Sequence, residues 1–358
     1  MTVQTSPFFA DHEQVVFFSD SATGLRAIIA IHSTVLGPAA GGCRMWNYAD
    51  EQSAIDDVLR LSRGMSYKNA MADLPLGGGK AVILGDPRRH KSEALLEAFG
   101  RAVDSLAGRY VTAEDVGITV ADMTVAARRT RYISGLGKTG ASVGGDPSPK
   151  TAQGVFVGLQ AAVAARLDRS DLEGLGVAVQ GLGNVGYHLC RNLHQAGARL
   201  VVADVDEGRV ARVCDEFGAT GVSVDEILFA DVDVLAPCAL GGVLNARTIP
   251  QIRASVVAGA ANNQLAEDAD GARLQARGIL YAPDYVINAG GIISVAAEYL
   301  GGKSESDVER DITRIHDRLV DLFARAKSEG KPTNVVADAM AEERMRRAAD
   351  RAGRVRAA

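Results

Sequence analysis

The stretch "LGVAVQGLGNVGYHLCRNLHQAGARLVVADVD" (175–206) leaves this chain few folds to choose from. An apolar run ends in Gly181, Gly183 and Gly186, spaced G-x-G-x-x-G. A helical pattern follows, then a second apolar run closed by Asp204, 18 residues after Gly186. Glycines so spaced also make plain tight turns. Between a strand and a helix, with an acid ending the next strand, they read as a dinucleotide-binding crossover. One glycine permits the tight turn, one lets backbone N–H groups approach a pyrophosphate, and one allows close helix–strand packing. The helix N-terminus adds partial positive charge toward the phosphates. Gly181, Leu182, Gly183, Asn184, Val185 and Gly186 are therefore placed at the cofactor, with Asp204 accepting hydrogen bonds from both ribose hydroxyls. Its charge repels a 2′-phosphate, so NAD is expected over NADP.

The rest of the chain continues the same rhythm. Apolar, β-branched runs at 25–34, 80–85, 109–116, 232–240, 254–263 and 278–291 read as strands. Helical spacing marks 51–68, 91–108, about 151–166, and the tail from about 305. Strands alternating with helices predict an α/β chain with a mostly parallel, doubly wound sheet. With 358 residues the chain exceeds one hydrophobic core, and "GLGKTGASVGGDPSPKTAQG" (135–154) breaks composition sharply enough to be a linker. The predicted division is 1–134 and 135–330, with no internal repeat. A net charge of −5 gives no pull toward nucleic acid or an anionic membrane. The basic end, "RMRRAADRAGRVRAA", reads as a solvated helix end. The four cysteines form no C-x-x-C pair, the six histidines show no ligand spacing, and no metal is expected. No secretory leader or membrane-spanning run is visible, so a reducing cytoplasm is expected.

The stretch "DLPLGGGKAVILGDP" (73–87) invites comparison with a phosphate loop. That loop needs a first glycine where Leu74 stands and a hydroxyl where Ala81 follows Lys80, so the comparison fails twice. Its glycines then serve close approach of backbone and substrate. Lys80 opens an apolar strand, where a lysine is easily desolvated. Desolvation and a neighbouring cation both lower a lysine's pKa and suit it to general-base work. Lys68 ends the preceding helix on the face of Met65, and Asp115 follows another strand. Each has an ordinary reading: a snorkelling helix end, an edge charge, a turn residue. All three lie at element ends ahead of the linker, where they can face a cofactor held after it.

The segments "LGPAAGGCR" (36–44), "RGMSYKNAMADLPLGGGKAVILGDP" (63–87), "YVTAEDVG" (110–117), "QGLGNVG" (180–186), "APCALGG" (236–242), "GAANNQL" (259–265) and "YAPDYVINAGG" (281–291) together resemble the Glu/Leu/Phe/Val amino-acid dehydrogenase family, nearest its leucine, valine and phenylalanine members. The resemblance spans roughly residues 12–345. It implies a substrate-binding, catalytic and oligomerising first domain on which 331–358 packs back, a Rossmann-like NAD domain, a deep cleft that closes on substrate, and a homo-oligomer. By it, Lys68 binds the substrate α-carboxylate, Lys80 is the catalytic lysine, and Asp115 exchanges a proton with the amino nitrogen. Gly41, Gly42 and Met65 line the substrate site, and Asn262 orients the head group. Thr151 and Asn288 lie near the nicotinamide, and Cys238 and Ala239 count with the cofactor residues. Ala40, Ala113, Ile292 and Val295 form the side-chain pocket. An apolar wall argues against glutamate. Ile292 and Val295 match the leucine and valine type, while Ala40 stands where the leucine type has a larger leucine and leaves room for phenylalanine. The implied partners are an apolar amino acid, its 2-oxo acid and ammonia. Two other readings remain from the residues: a 2-hydroxy acid dehydrogenase using His188 or His194, and a non-catalytic NAD-responsive protein.

Overall fold

The computed structural model describes residues 3–136 and 144–357. The chain divides into two compact units: Met1–Asp146 with Val295–Lys303 and Ala341–Ala358, and Pro147–Ser294 with Ser304–Met340. The division falls inside the glycine-rich stretch 135–154, twelve residues beyond the boundary expected at 134, and residues 137–143 of that stretch lie outside the described residues.

In the first unit, β1 (Gln14–Asp20) and β2 (Leu25–Ser33) form an antiparallel hairpin. β3 (Ala39–Ala40), β4 (Cys43–Trp46), α1 (Glu51–Met71), β5 (Gly77–Leu84), α2 (Glu93–Asp104), β6 (Tyr110–Val111) and α3 (Val120–Ala126) follow. The sheet order is β1-β2-β5-β3-β6, with β4 also paired to β5. β2 runs antiparallel to β5, and β3 and β4 run parallel to it. This sheet is therefore mixed, not mostly parallel, because the tight turn before Leu25 returns the chain without a crossover helix.

Strand alternation sorts the side chains onto two faces. Ala27, Ile29, Ile31, Cys43, Met45, Ala81 and Ile83 join Leu95, Phe99 and Val103 of α2 in one core. Ile28, Ala30 and Val82 join Ala54, Ile55, Val58 and Leu59 of α1 in another. Val58 and Leu59 are fully buried, each contributing about 1.5–3 kcal/mol relative to exposure. The parity that puts Val82 under α1 puts Gly78 and Lys80 there too. Helix α1 is held at its start by the Asp50 carboxylate, which accepts from the Ser53 N–H (2.7 Å). Toward its end the Asn69 amide donates to the Gly77 carbonyl (2.6 Å). The Arg344 guanidinium then donates to the Ala70 and Met71 carbonyls (2.9 and 3.1 Å). The basic end of the chain is thus in part a cap on the α1 carbonyls, not only a solvated terminus.

The second unit opens with α4 (Ser148–Leu167) and continues through β7 (Gly176–Gln180), α5 (Asn184–Gln195), β8 (Arg199–Ala203), α6 (Glu207–Phe217), β9 (Thr220–Gly221), β10 (Val234–Pro237), β11 (Val256–Val257), α7 (Ala269–Ala276), β12 (Leu280–Tyr281) and α8 (Asp284–Ile287). Every pairing is parallel, in the order β12-β11-β10-β7-β8-β9. The chain starts at the centre, builds outward to β9, then returns to build the other half, so the connections diverge between β7 and β10. Dinucleotides bind at such a switch point. The strands expected at 254–263 and 278–291 shrink to two residues each. Past Tyr281 the chain turns helical, into α8 and then α9 (Gly290–Leu300), because a short apolar run after a proline carries no period that separates strand from helix. Helix α10 (Glu305–Glu329) is bounded by a Ser304–Asp307 capping box and by Gly330 at φ +66°, and α11 (Thr333–Ala357) completes the chain. Among the described residues no helix is long and apolar enough to cross a membrane.

Candidate active site

One edge of β5 is paired twice: β3 meets Gly77–Gly78, and β4 meets Ala81–Leu84. The step between β3 and β4 is Gly41–Gly42, opposite Gly79–Lys80. Both glycines are forced. A Cβ on Gly41 would strike the Gly79 carbonyl and come within 3.0 Å of Met65 Cγ; one on Gly42 would strike the Glu114 carbonyl and come within 3.0 Å of Asp115 Cβ. Gly41, Gly42, Met65, Lys80 and Asp115 are thereby gathered around one point. The glycines of "GGGK" have a different use from the one expected. A Cβ on Gly77 would strike the Ser33 carbonyl, one on Gly78 the Ser66 backbone N, and one on Gly79 would sit 2.8 Å from the Tyr110 ring. They admit protein, not substrate.

Lys80 is 5% exposed, and its Nζ lies 3.2 Å from Asp115 Oδ1. The other Asp115 oxygen accepts from Arg44 Nε at 2.9 Å. Burial opposes ionisation of Asp115, but Lys80 and then Arg44 outweigh it and hold the carboxyl below its ordinary range. The charge facing Lys80 at this distance is thus a carboxylate. Counting charges along the chain does not show that the loop after β6 folds back over β5. Lys68 is half-buried in the last turn of α1, one turn beyond Met65. Ala40 is buried in β3, and Ala113 is half-buried, its carbonyl accepting from the Cys43 N–H (2.8 Å). Buried serines on α1 find histidines: Ser62 with His12 (2.9 Å) and Ser66 with His32 (2.8 Å). Burial, then the neighbouring His12, lowers His32 to about 4, so it stays neutral and braces α1 without charge.

In the second unit the glycine turn sits at the ends of β7 and β10. Gly181 has φ +92°, and a Cβ on it would lie 2.7 Å from that of Ala239. A Cβ on Gly186 would strike the Gly181 carbonyl. Around Gly183 the space is open: the nearest atom, an Arg209 nitrogen, is 4.0 Å from where a Cβ would stand. This is a cradle that a side chain would fill, and it fits a pyrophosphate. Leu182 is buried, Val185 half-buried and Asn184 exposed. Asp204 accepts from the Leu182 N–H (2.6 Å) and the Asp206 N–H (2.9 Å), and Arg209 lies 3.8 Å away. The acid assigned to the ribose therefore also braces the turn. The Cys238 N–H donates to the Gln180 carbonyl (2.7 Å), and Ala239 beside it is exposed. Asn288 is buried and donates to Asn262 Oδ1 (2.8 Å) and the Ala260 carbonyl (3.0 Å), so the two asparagines are joined. The Thr151 hydroxyl donates to the Pro147 carbonyl (3.0 Å). Ile292 and Val295 are half-buried, three residues apart on α9.

Arg44, and with it Asp57 and Tyr48, belongs to this centre without having been read from the sequence. The available signal was parity: Cys43 and Met45 face α2, so Arg44 must face α1. His188 stacks edge-on against Tyr187, and His194 is exposed beside Phe217. Among the described residues no group of three or more His, Cys, Asp or Glu could hold a metal, and the four cysteines are free.

A parallel sheet with this glycine turn, in one chain with a mixed α/β unit built around a buried lysine–carboxylate pair, is the build of an amino-acid dehydrogenase. The chain belongs to the Glu/Leu/Phe/Val dehydrogenase family: residues 12–132 match its dimerisation domain, and 146–216 with 204–353 match the Glutamate/Leucine/Phenylalanine/Valine dehydrogenase domain. It is 53% identical to leucine dehydrogenase of Geobacillus stearothermophilus over 94% of this chain and 91% of that one. It is 51% identical to valine dehydrogenase of Streptomyces virginiae over 93% of this chain and 94% of that one. The crystal structure of L-tryptophan dehydrogenase from Nostoc punctiforme superposes with a TM-score of 0.83 at 47% identity, covering 94% of this chain and 96% of the other.

Proposed function

We propose that this chain catalyses the NAD-dependent, reversible oxidative deamination of an apolar L-amino acid, with leucine, valine and isoleucine foremost, to the 2-oxo acid, ammonia and NADH. The observation that carries the reading is the buried Lys80–Asp115 pair, at 3.2 Å, inside a family whose chemistry needs a proton relay. In the overall balance the amino acid, NAD⁺ and water give the 2-oxo acid, ammonium, NADH and one proton.

NAD, when bound, accepts the hydride from the substrate Cα. Gly181–Gly186 and Asp204 would hold its pyrophosphate and ribose, with Cys238 and Ala239 beside the glycine turn and Thr151 and Asn288 toward the nicotinamide. Lys68 binds the α-carboxylate by a charge-assisted contact, and Asn262 orients the head group. Lys80, as general base, takes a proton from the water that attacks the imine carbon. Asp115 carries protons to and from the nitrogen as ammonia leaves. Gly41, Gly42 and Met65 shape the floor beneath the substrate backbone. The side chain goes against Ala40, Ala113, Ile292 and Val295, an apolar wall where an unpaired γ-carboxylate would cost several kcal/mol.

The leucine and valine dehydrogenases among the relatives support an aliphatic substrate. The small Ala40 and the likeness to a tryptophan dehydrogenase support an aromatic one such as phenylalanine. Kinetics across leucine, valine, isoleucine, phenylalanine and tryptophan at alkaline pH decide between them. We expect kcat/KM for leucine or valine to exceed that for phenylalanine about tenfold or more, a ratio that differences of size and shape in an apolar pocket can supply. A higher value for phenylalanine reverses the substrate assignment, and ammonia-independent reverse turnover removes the reaction class.

The cofactor site has its own test. Gly183→Ala puts a methyl only into the open cradle, so NADH affinity is expected to fall about tenfold with Tm unchanged. Gly186→Ala drives a methyl into the Gly181 carbonyl and is expected to lower Tm as well. Equal Tm losses for both would contradict the assigned roles; fluorescence titration and thermal melts provide the readouts. A homo-oligomer is inferred from the match to a dimerisation domain and from the edge strand β1 with its exposed Phe17; sedimentation measures it.

A further inference from the structure

We propose that Arg44 is the positioning residue of the proton centre: it clamps one oxygen of Asp115 so that only the other faces Lys80, and Asp57 with Tyr48 fixes Arg44 in that pose. This rests on the reading of Lys80 and Asp115 as the proton-transferring pair.

Arg44 Nε donates to Asp115 Oδ2 at 2.9 Å, and its terminal nitrogen donates to Asp57 Oδ2 at 2.9 Å. The Tyr48 hydroxyl donates to the same Asp57 oxygen (2.8 Å), and Arg60 holds the other (3.0 Å). One planar guanidinium thus joins the loop after β6 to helix α1, a span that fits a rigid fork of donors and not a single ammonium. The cluster is well shielded, with side-chain exposures of 21% for Arg44, 14% for Asp57 and 24% for Asp115. Asp115 is left with one committed oxygen and one oxygen, Oδ1, at Lys80.

The arrangement answers a problem set by the reaction. Lys80 must lose its charge to act as a base, and at that moment Asp115 loses a counter-ion. Arg44 does not titrate in the working range and remains a cation beside it. The groups facing Asp115 are Lys80 of β5, Arg44 and Cys43 of β4, Tyr48 beyond it, and Tyr110 and Glu114 of its own stretch; Asp57 and Arg60 of α1 act through Arg44. Of these, Lys80 and Arg44 favour the ionised carboxylate. The acid limb of the rate profile reports the coupled Lys80–Asp115 pair, and without the Arg44 cation beside it the pair holds its protons to higher pH, so that limb moves to higher pH.

The test uses Arg44→Gln, Arg44→Lys and Asp57→Asn in the full chain, with Lys80→Ala as reference. kcat, KM for leucine, NADH affinity, Tm and the pH profile of kcat are measured. Arg44→Gln is expected to lower kcat about 10²-fold, the scale of a small misplacement, with KM within about threefold. Its acid limb should move to higher pH with NADH affinity unchanged. Arg44→Lys keeps the charge and loses the span, so kcat falls with the limb in place. Asp57→Asn frees Arg44 and should cost about tenfold in kcat. If Arg44→Gln does not fold, the other two variants decide alone. Wild-type kcat and limb in the Arg44 and Asp57 variants, with Lys80→Ala inactive, overturn this inference and leave the functional reading standing. A rise in KM alone, or a loss of Tm with an unmoved limb in Arg44→Gln, overturns it as well. Undiminished turnover in Lys80→Ala removes the functional reading beneath it.

Discussion

Replacing Lys80 with alanine is expected to lower kcat by about 10³-fold, within the range for a positioned acid–base group, while NADH binding changes by less than about twofold. The two effects separate because Lys80 lies in the first unit and the glycine turn in the second. The variant should still fold. Truncating one member of a buried ion pair costs about 3–5 kcal/mol when the other is stranded, but Asp115 here keeps Arg44 at 2.9 Å. Asp115→Asn is the harsher change for stability, since it leaves the Lys80 ammonium, 6% exposed, without the carboxylate it faces. Single-turnover kinetics on Lys80→Ala, with NADH fluorescence titration alongside, measure both quantities. A kcat within tenfold of wild type removes Lys80 from the proton chemistry.

What was legible in the sequence was local. The glycine turn could be read because strand, turn, helix and acid are contiguous, and each glycine is constrained by neighbours a few residues away. Lys80 could be read because a charge adjoining an apolar run is desolvated wherever that run lies, although the strand begins three residues earlier than expected, at Gly77, and Lys80 sits within it. Arg44 could not be read in the same way. Its partners come from α1 and from a loop 71 residues on, and only the packing of three elements brings them together. Asp204 was half legible: the motif gives it a ribose, and the fold adds two backbone N–H groups it must also satisfy. The short strands β11 and β12 failed for a related reason. In a parallel sheet buried on both faces an apolar run shows no alternation, so its end is set by where the neighbouring strand stops.

Gly78→Ala should be the most damaging conservative change in the first unit, about 3 kcal/mol, although it adds one methyl to a strand. The new Cβ would strike the backbone nitrogen of Ser66, and backbone in the middle of a helix cannot swing aside as a side chain can. Helix α1 would have to lift, and it is tied down by the Asn69–Gly77 and His32–Ser66 hydrogen bonds and by the buried Val58 and Leu59. Lifting it also moves Lys68, one turn beyond Met65, so KM for the amino acid should rise in whatever fraction remains folded. Trp46, the single tryptophan of the chain, lies in β4, so its fluorescence follows this unit. A fall in Tm of roughly 6–12 °C is expected. Gly64→Ala gives the control within the same helix: nothing lies within 4 Å of its Cβ position, and removing a glycine from a helix interior should stabilise by about 0.5–1 kcal/mol. If both variants melt alike, the glycines of "GGGK" are not there to admit α1, and the room they leave returns as a candidate for substrate.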